Sequence, residues 1–124
     1  MNKAVIVGVK RTPIGSFMGS LSNIAAPHLG TISTRAALAS CNVDPSEVEE
    51  VYMGAVLQAG MGQAPARQVA LGAEMGNDTP STTINKVCAS GMKAAMLAAQ
   101  AIELGHRSVM VAGGMECMSK TPHY

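Results

Sequence analysis

The chain has 124 residues, room for one domain with one layered core, and a formal charge of +1 at pH 7. That balance leaves no electrostatic footprint for DNA, RNA or anionic lipid, and an aromatic content of 2% supplies few platforms for stacking bases. Apolar residues reach 48% with ten Met and no Trp, so the interior is built from small, pliable side chains; charged residues reach only 14%, against about a quarter in ordinary domains, which predicts that part of the chain is covered by something else.

In chain order, KAVIVGV (3–9) is a β-branched run that predicts a buried strand. It is short and is followed directly by Lys10 and Arg11, so it is neither a signal peptide nor a span; no apolar segment reaches the roughly 18 residues a span needs. RTPIGSFMGSLSN, rich in Gly, Pro and Ser, predicts a loop. Pro27 opens a helix with Leu29, Ile32 and Ala36 at helical spacing, ending near Cys41 and Asn42. Asp44-Pro45-Ser46-Glu47 has the arrangement of a capped helical turn. VYMGAVL (51–57) predicts the second strand, AGMGQ a glycine-rich loop, and Pro65 a helix through ARQVALGAEM.

GNDTP (76–80) is a turn by composition, and TTINKV (82–87) predicts the third strand. A helix follows Cys88 to Leu104 and stops at Gly105, where a left-handed residue is wanted. SVMVAGG (108–114) predicts the fourth strand, and MECMSKTPHY an open-ended tail. Strands alternating with helices imply parallel crossovers, hence an α/β sheet, parallel or mixed, with helices on both faces. In such sheets chemistry gathers where strands end and helices begin. Cys88 falls at that edge.

The helix after Cys88 is apolar around most of its circumference, with Lys93, Gln100 and Glu103 on one narrow stripe. A helix apolar on most sides is buried on most sides. It is expected to lie between two layers, this sheet and a second one supplied by further sequence or a partner chain.

Cys41, Cys88 and Cys117 are odd in number, far apart and without a CxxC, which points to reduced thiols and away from zinc. A helix N-terminus carries about half a positive charge and unpaired N–H groups, so a thiolate there is stabilised and an oxyanion can be held. Gly91, one turn in, leaves room for a substrate or a neighbouring backbone. Position alone keeps two readings of Cys88 open, a packing thiol and a nucleophile, since free cysteines are often buried. Cys41 reads as packing; Cys117 shares the active edge without a motif that activates it.

No base accompanies the nucleophile. His106 lies roughly 25 Å from Cys88 along the helix, His28 reads as a surface or cap residue, and His123 is penultimate, able at most to swing toward Cys88. Glu116 reads as a solvated or salt-bridged carboxylate. VGVKRTPIGSFMG lacks GxGxxG, which leaves dinucleotide binding a weak alternative.

NKVCASGMKA (85–94) and VAGGMECMS (111–119) resemble the nucleophile segment and the following strand and loop of the thiolases. RTPIGSFMGSL (11–21) and GQAPARQ (62–68) are similar to their first loop and second-helix start, and the likeness runs through the whole chain. GQAPARQ and TTINKVCASGMKA lie nearest the acetoacetyl-CoA branch, the mitochondrial type in particular.

The resemblance implies residues 1–124 as the thiolase N-terminal domain, short of the loop domain and the C-terminal half. The family stacks two similar halves in five alternating layers, with the third helix of each half in the central one. It further implies that Cys88 attacks an acyl-CoA thioester and carries the acyl group, its backbone N–H helping to hold the thioester oxygen. Two acetyl-CoA then yield acetoacetyl-CoA, or the reverse. Coenzyme A thioester is substrate; no separate cofactor, metal, nucleic acid or membrane is implied.

A homodimer or homotetramer is expected, in the mitochondrial matrix or alternatively the cytoplasm. The family's activating histidine, second cysteine and Asn-bearing oxyanion segment, and the fifth strand of this half, have no match here, so the 124 residues alone are expected to be inactive. A 3-ketoacyl-CoA thiolase of broader chain length, or an association module without chemistry, are the alternatives. Two departures stand out: Cys117 where the family usually has Ser, and Ala64 where many members have Asn.

Overall fold

A computed structural model describes residues 1–123; Tyr124, the end of the predicted tail, lies outside the described residues. Three strands, β1 (Glu50–Gly54), β2 (Ser81–Ile84) and β3 (Met110–Gly114), alternate with three helices, α1 (Ala26–Ser40), α2 (Pro65–Gly72) and α3 (Ser90–Glu103). The order is β2-β1-β3, every pairing parallel, with Tyr52 of β1 opposite Thr82 on one side and Ala112 on the other. Parallel neighbours cannot be joined by a tight turn, so helices make the crossovers.

Side chains alternate along β1 and send its two sets of residues to different layers. Val51 and Met53 enter the core formed with α1 and α2, where Ala66, Val69, Ala70 and Ala73 are fully buried. Each large side chain sealed there contributes about 1.5–3 kcal/mol. Gly54 turns the other way, onto α3: a Cβ built on it would stand 2.5 Å from the nitrogen of Gly91. Helices therefore cover both faces, as the pattern predicts.

The three helices end alike. Asn42, Glu74 and Gly105 take φ of 54°, 65° and 75°, and Val43, Met75 and His106 donate back to Leu38, Ala70 and Ala101. These left-handed caps satisfy carbonyls the last turn would leave open. Asp44 and Glu47 form the expected capping box over the short 3-10 turn Pro45–Glu47. The start of β3 is tied to β1 by the Arg107–Glu50 ion pair at 2.9 Å and by Ser108 N–H donating to Glu49.

Five expectations need correction. Residues 3–9 form no strand: Val5, Ile6, Val7 and Val9 are 64–83% exposed. The segment is tied at Asn2 to the end of α3, through Glu103 O at 3.2 Å, and passes α1 at Gly8, where an added Cβ would meet Ala37 O at 2.7 Å. A strand exists only with a hydrogen-bonded neighbour, and among the described residues this segment has none.

The second strand ends at Gly54 rather than residue 57, and the third at Ile84 rather than 87, because the chain turns at Asn85–Ala89. The helix from Pro65 stops at Gly72, cut short by the left-handed Glu74.

On α1 the buried stripe is Pro27, Gly30, Thr31, Thr34 and Leu38, with Ile32 turned outward. Small residues line that stripe because α1 packs close on α2, where a Cβ at Gly72 would meet Thr31 Oγ1 at 2.7 Å.

The expectation for the last helix is met on one side. Ser90, Ala94 and Ala98 are buried against the sheet, while Met92, Met96 and Leu104 on the remaining surface stay open.

Candidate active site

β2 ends at Ile84 and α3 begins at Ser90, with Cys88 in the turn between them, two residues ahead of the helix. Its thiol is free and exposed. A packing thiol would be enclosed, so the geometry is that of an accessible sulfur beside a helix N-terminus. Ala89 gives α3 no side-chain cap; Ser90 N–H is taken by Val87 C=O at 3.1 Å, which among the described residues leaves the Gly91 and Met92 N–H groups of the first turn without a partner.

The turn is held by its own polar groups. Asn85 Oδ1 accepts from Val87 N–H at 3.0 Å. Ser90 Oγ accepts from Lys86 N–H at 2.8 Å and donates to Val87 C=O at 2.6 Å. Val87 itself has φ 49°. Below the turn, α3 rests directly on the sheet, since a Cβ at Gly114 would meet Gly91 Cα at 3.3 Å. Glycine in both strands and in the helix lets the first turn of α3 sit close over the strand ends.

The remaining predicted groups are dispersed. Cys41 Sγ lies 3.3 Å from Ala37 O at the end of α1, a packing position. Cys117 is half-buried, its Sγ 3.8 Å from Ser22 O. Glu116 is half-buried and, among the described residues, forms no salt bridge: its carboxylate accepts from Val56 N–H at 3.0 Å and Leu57 N–H at 2.9 Å, pinning the chain that leaves β1.

His28 and His106 are exposed at the start of α1 and beyond α3. His123 stacks edge-on against Phe17 with ring centres 6.2 Å apart. A cavity of about 500 Å³ opens beside it, lined by Phe17, Val56, Leu57, Met118, Pro122 and His123 among others. Asn85 borders that region through Nδ2, which donates to Val56 O at 3.5 Å.

Among the described residues no group of three or more His, Cys, Asp and Glu is placed to hold a metal ion, and no helix is long and apolar enough to cross a membrane. Asn85 and Ser90 are the functional candidates that the motif reading passed over. The signal was local: a short polar side chain on each side of Val87, at spacings that let both reach its peptide groups.

The description "Thiolase, N-terminal domain" matches residues 4–124. The mitochondrial acetyl-CoA acetyltransferase of Xenopus tropicalis is 59% identical over 123 residues, which is 99% of this chain and 29% of that protein. Acetyl-CoA acetyltransferase 2 of Arabidopsis thaliana is 61% identical over 119 residues, 96% of this chain and 30% of that protein. Among solved structures, the Acat5 thiolase of Ascaris suum in complex with coenzyme A superposes with a TM-score of 0.97 at 41% identity, covering 99% of this chain and 32% of that one. The chain thus spans about three-tenths of the length of the relatives it matches.

Proposed function

The chain belongs to the thiolase family, within its N-terminal domain, and on that footing we propose that Cys88 is the acyl-carrying nucleophile of an acetyl-CoA C-acetyltransferase. The observation that carries this reading is the open thiol at the start of α3, in a chain 59% identical to a protein named acetyl-CoA acetyltransferase.

The Cys88 thiolate adds to the carbonyl carbon of acetyl-CoA, and the oxygen takes the negative charge. Donors at the head of α3, the Cys88 N–H among them, are suited to hold that oxyanion. Collapse breaks the bond to coenzyme A, which leaves as its thiol after taking a proton, and the acetyl group stays on Cys88 as a thioester. Exchange between thioesters is nearly isoenergetic, which suits a reversible carrier. A second acetyl-CoA then loses a methyl proton, its carbon attacks the acyl-enzyme, and acetoacetyl-CoA leaves with the Cys88 thiol restored. Thiolysis is the same path reversed.

The acid–base groups for these steps are expected outside the 124 residues: His28 and His106 stand at the start of α1 and beyond α3, and His123 packs against Phe17. The name of the Xenopus tropicalis relative supports a mitochondrial setting, and a homodimer or homotetramer belongs to the same reading. In the full-length protein, Cys88→Ala is expected to lower both condensation and thiolysis by about 10⁴-fold or more. Retention of either activity would refute the assignment. Comparing kcat/KM for acetoacetyl-CoA with longer 3-ketoacyl-CoA substrates separates this enzyme from a thiolase of broader chain length.

The open flank of α3 favours a second reading for the 124 residues by themselves, an association module that performs no chemistry. Binding to a full-length subunit with Cys88 left unacylated would support it.

A further inference from the structure

Among the described residues five other than glycine have positive φ, namely Met18, Asn42, Ala64, Glu74 and Val87, and of these only Val87 is β-branched. A branched side chain crowds the backbone in the left-handed region, so such a residue is a genuine outlier. It persists only where its surroundings leave it no alternative. Here both peptide groups of Val87 are held from outside: the N–H by Asn85 at 3.0 Å, the C=O by the Ser90 hydroxyl at 2.6 Å and by the Ser90 N–H at 3.1 Å. The same hydroxyl accepts Lys86 N–H at 2.8 Å, so one oxygen bridges the two peptides on either side of the bend.

Ser90 is 4% exposed. It cannot drift, because a Cβ at Gly54 would stand 2.5 Å from its carbonyl carbon. Val87, by contrast, is 66% exposed, so packing does not impose its conformation.

We propose that Ser90 and Asn85 are positioning residues for acyl transfer, holding Val87 in the left-handed conformation and thereby fixing where the Cys88 thiol and N–H stand. The proposal rests on the reading of Cys88 as acyl carrier. Bend and nucleophile are adjacent: a relaxed Val87 would swing the following peptide and carry both the sulfur and the N–H away from the head of α3. A nucleophile displaced by about 1 Å can lose 10²-fold in rate.

The test uses the full-length protein and two readouts. One is the single-turnover rate of Cys88 acetylation at saturating acetyl-CoA; the other is the rate of Cys88 alkylation by iodoacetamide, measured beside Cys41 and Cys117. Ser90→Ala and Asn85→Ala are each expected to slow acetylation by about 10- to 100-fold with KM unchanged. Cys88 alkylation should slow severalfold, with that of Cys41 and Cys117 unaltered.

Adding Val87→Gly to either variant should restore most of the lost rate, because glycine adopts positive φ without being held. A role in stability alone predicts no such rescue. Unaltered acetylation in Asn85→Ala, or no recovery with Val87→Gly, would overturn the proposal. Asn85 is exposed, so its variants decide the matter even if Ser90→Ala fails to fold. Should the unsubstituted protein leave Cys88 unacetylated, the proposed function falls, and the alkylation rates still decide whether the bend positions the sulfur.

Discussion

Val51 and Met53 point from β1 into a closed layer under α1 and α2, whereas Gly54 on the opposite face meets α3 alone. α2 is short and completes its burial with Ala66, Val69, Ala70 and Ala73, all fully enclosed. α3 is longer and more apolar, yet it buries only Ser90, Ala94 and Ala98 and leaves Met92 and Met96 at 67% and 49% exposure. Apolar composition around a helix therefore reports how many layers it is built to lie between. α2 seals its large side chain within these residues, and α3 is sealed on one side only.

The sharpest way to break that comparison is a pair of truncations. Met53→Ala should cost about 2–5 kcal/mol in urea unfolding, because it opens a cavity in a closed layer. Met96→Ala in the same 124 residues should change stability by less than about 0.5 kcal/mol, as an exposed substitution does. Equal costs would mean that the two faces are not different in kind. In the full-length protein Met96→Ala should become expensive if a second layer covers α3.

Next in size is Gly54→Ala. The backbone of Ser90 and Gly91 lies too close for a methyl group, so overpacking should cost about 1–3 kcal/mol. The same change should slow acetylation of Cys88 by shifting the head of α3. Stability unaffected by this substitution would show that α3 is loosely seated.

Ala64 supplies a stabilising test on the closed side. It precedes α2 at φ 46°, a conformation that Asn tolerates better. Ala64→Asn should raise stability by about 0.5–1 kcal/mol, read as a higher unfolding midpoint. A lowered midpoint would show that the left-handed cap is not strained.

The smallest effect is expected at Asp44, away from both faces. The Ser46 hydroxyl and N–H hold its carboxyl below the ordinary carboxylate range. A depressed folded value means that its contribution is complete above the unfolded value and disappears as pH falls through the folded one. Stability of Asp44→Asn should therefore lose part of the acid dependence seen in the unsubstituted chain, and an identical pH profile would remove Asp44 from that role.

The legible parts of the fold were those written in neighbouring residues. Pro27 and Pro65 mark the helix starts, Asp44 and Glu47 the capped turn, and Gly105 the end of α3. Residues 3–9 were misread because β-branched content signals a capacity to pair, while pairing depends on a neighbour elsewhere in the chain. The buried stripe of α1 was missed for a related reason. Leu29, Ile32 and Ala36 have the right spacing, but close contact with α2 selects Gly30, Thr31 and Thr34, whose small size matters more than their apolarity.

At the site, Cys88 was visible as a cysteine between a strand and a helix. The roles of Asn85 and Ser90 were not, since they depend on the backbone angle of Val87, and a valine gives no hint of positive φ.

The central claim concerns the sulfur at position 88, and the mass of one peptide tests it. Cleavage after Lys86 and Lys93 releases residues 87–93. In full-length protein acid-quenched after mixing with acetyl-CoA alone, that peptide is expected to carry one acetyl group on Cys88 and to lose it when free coenzyme A is added. An unmodified peptide 87–93 in protein that still forms acetoacetyl-CoA would contradict it.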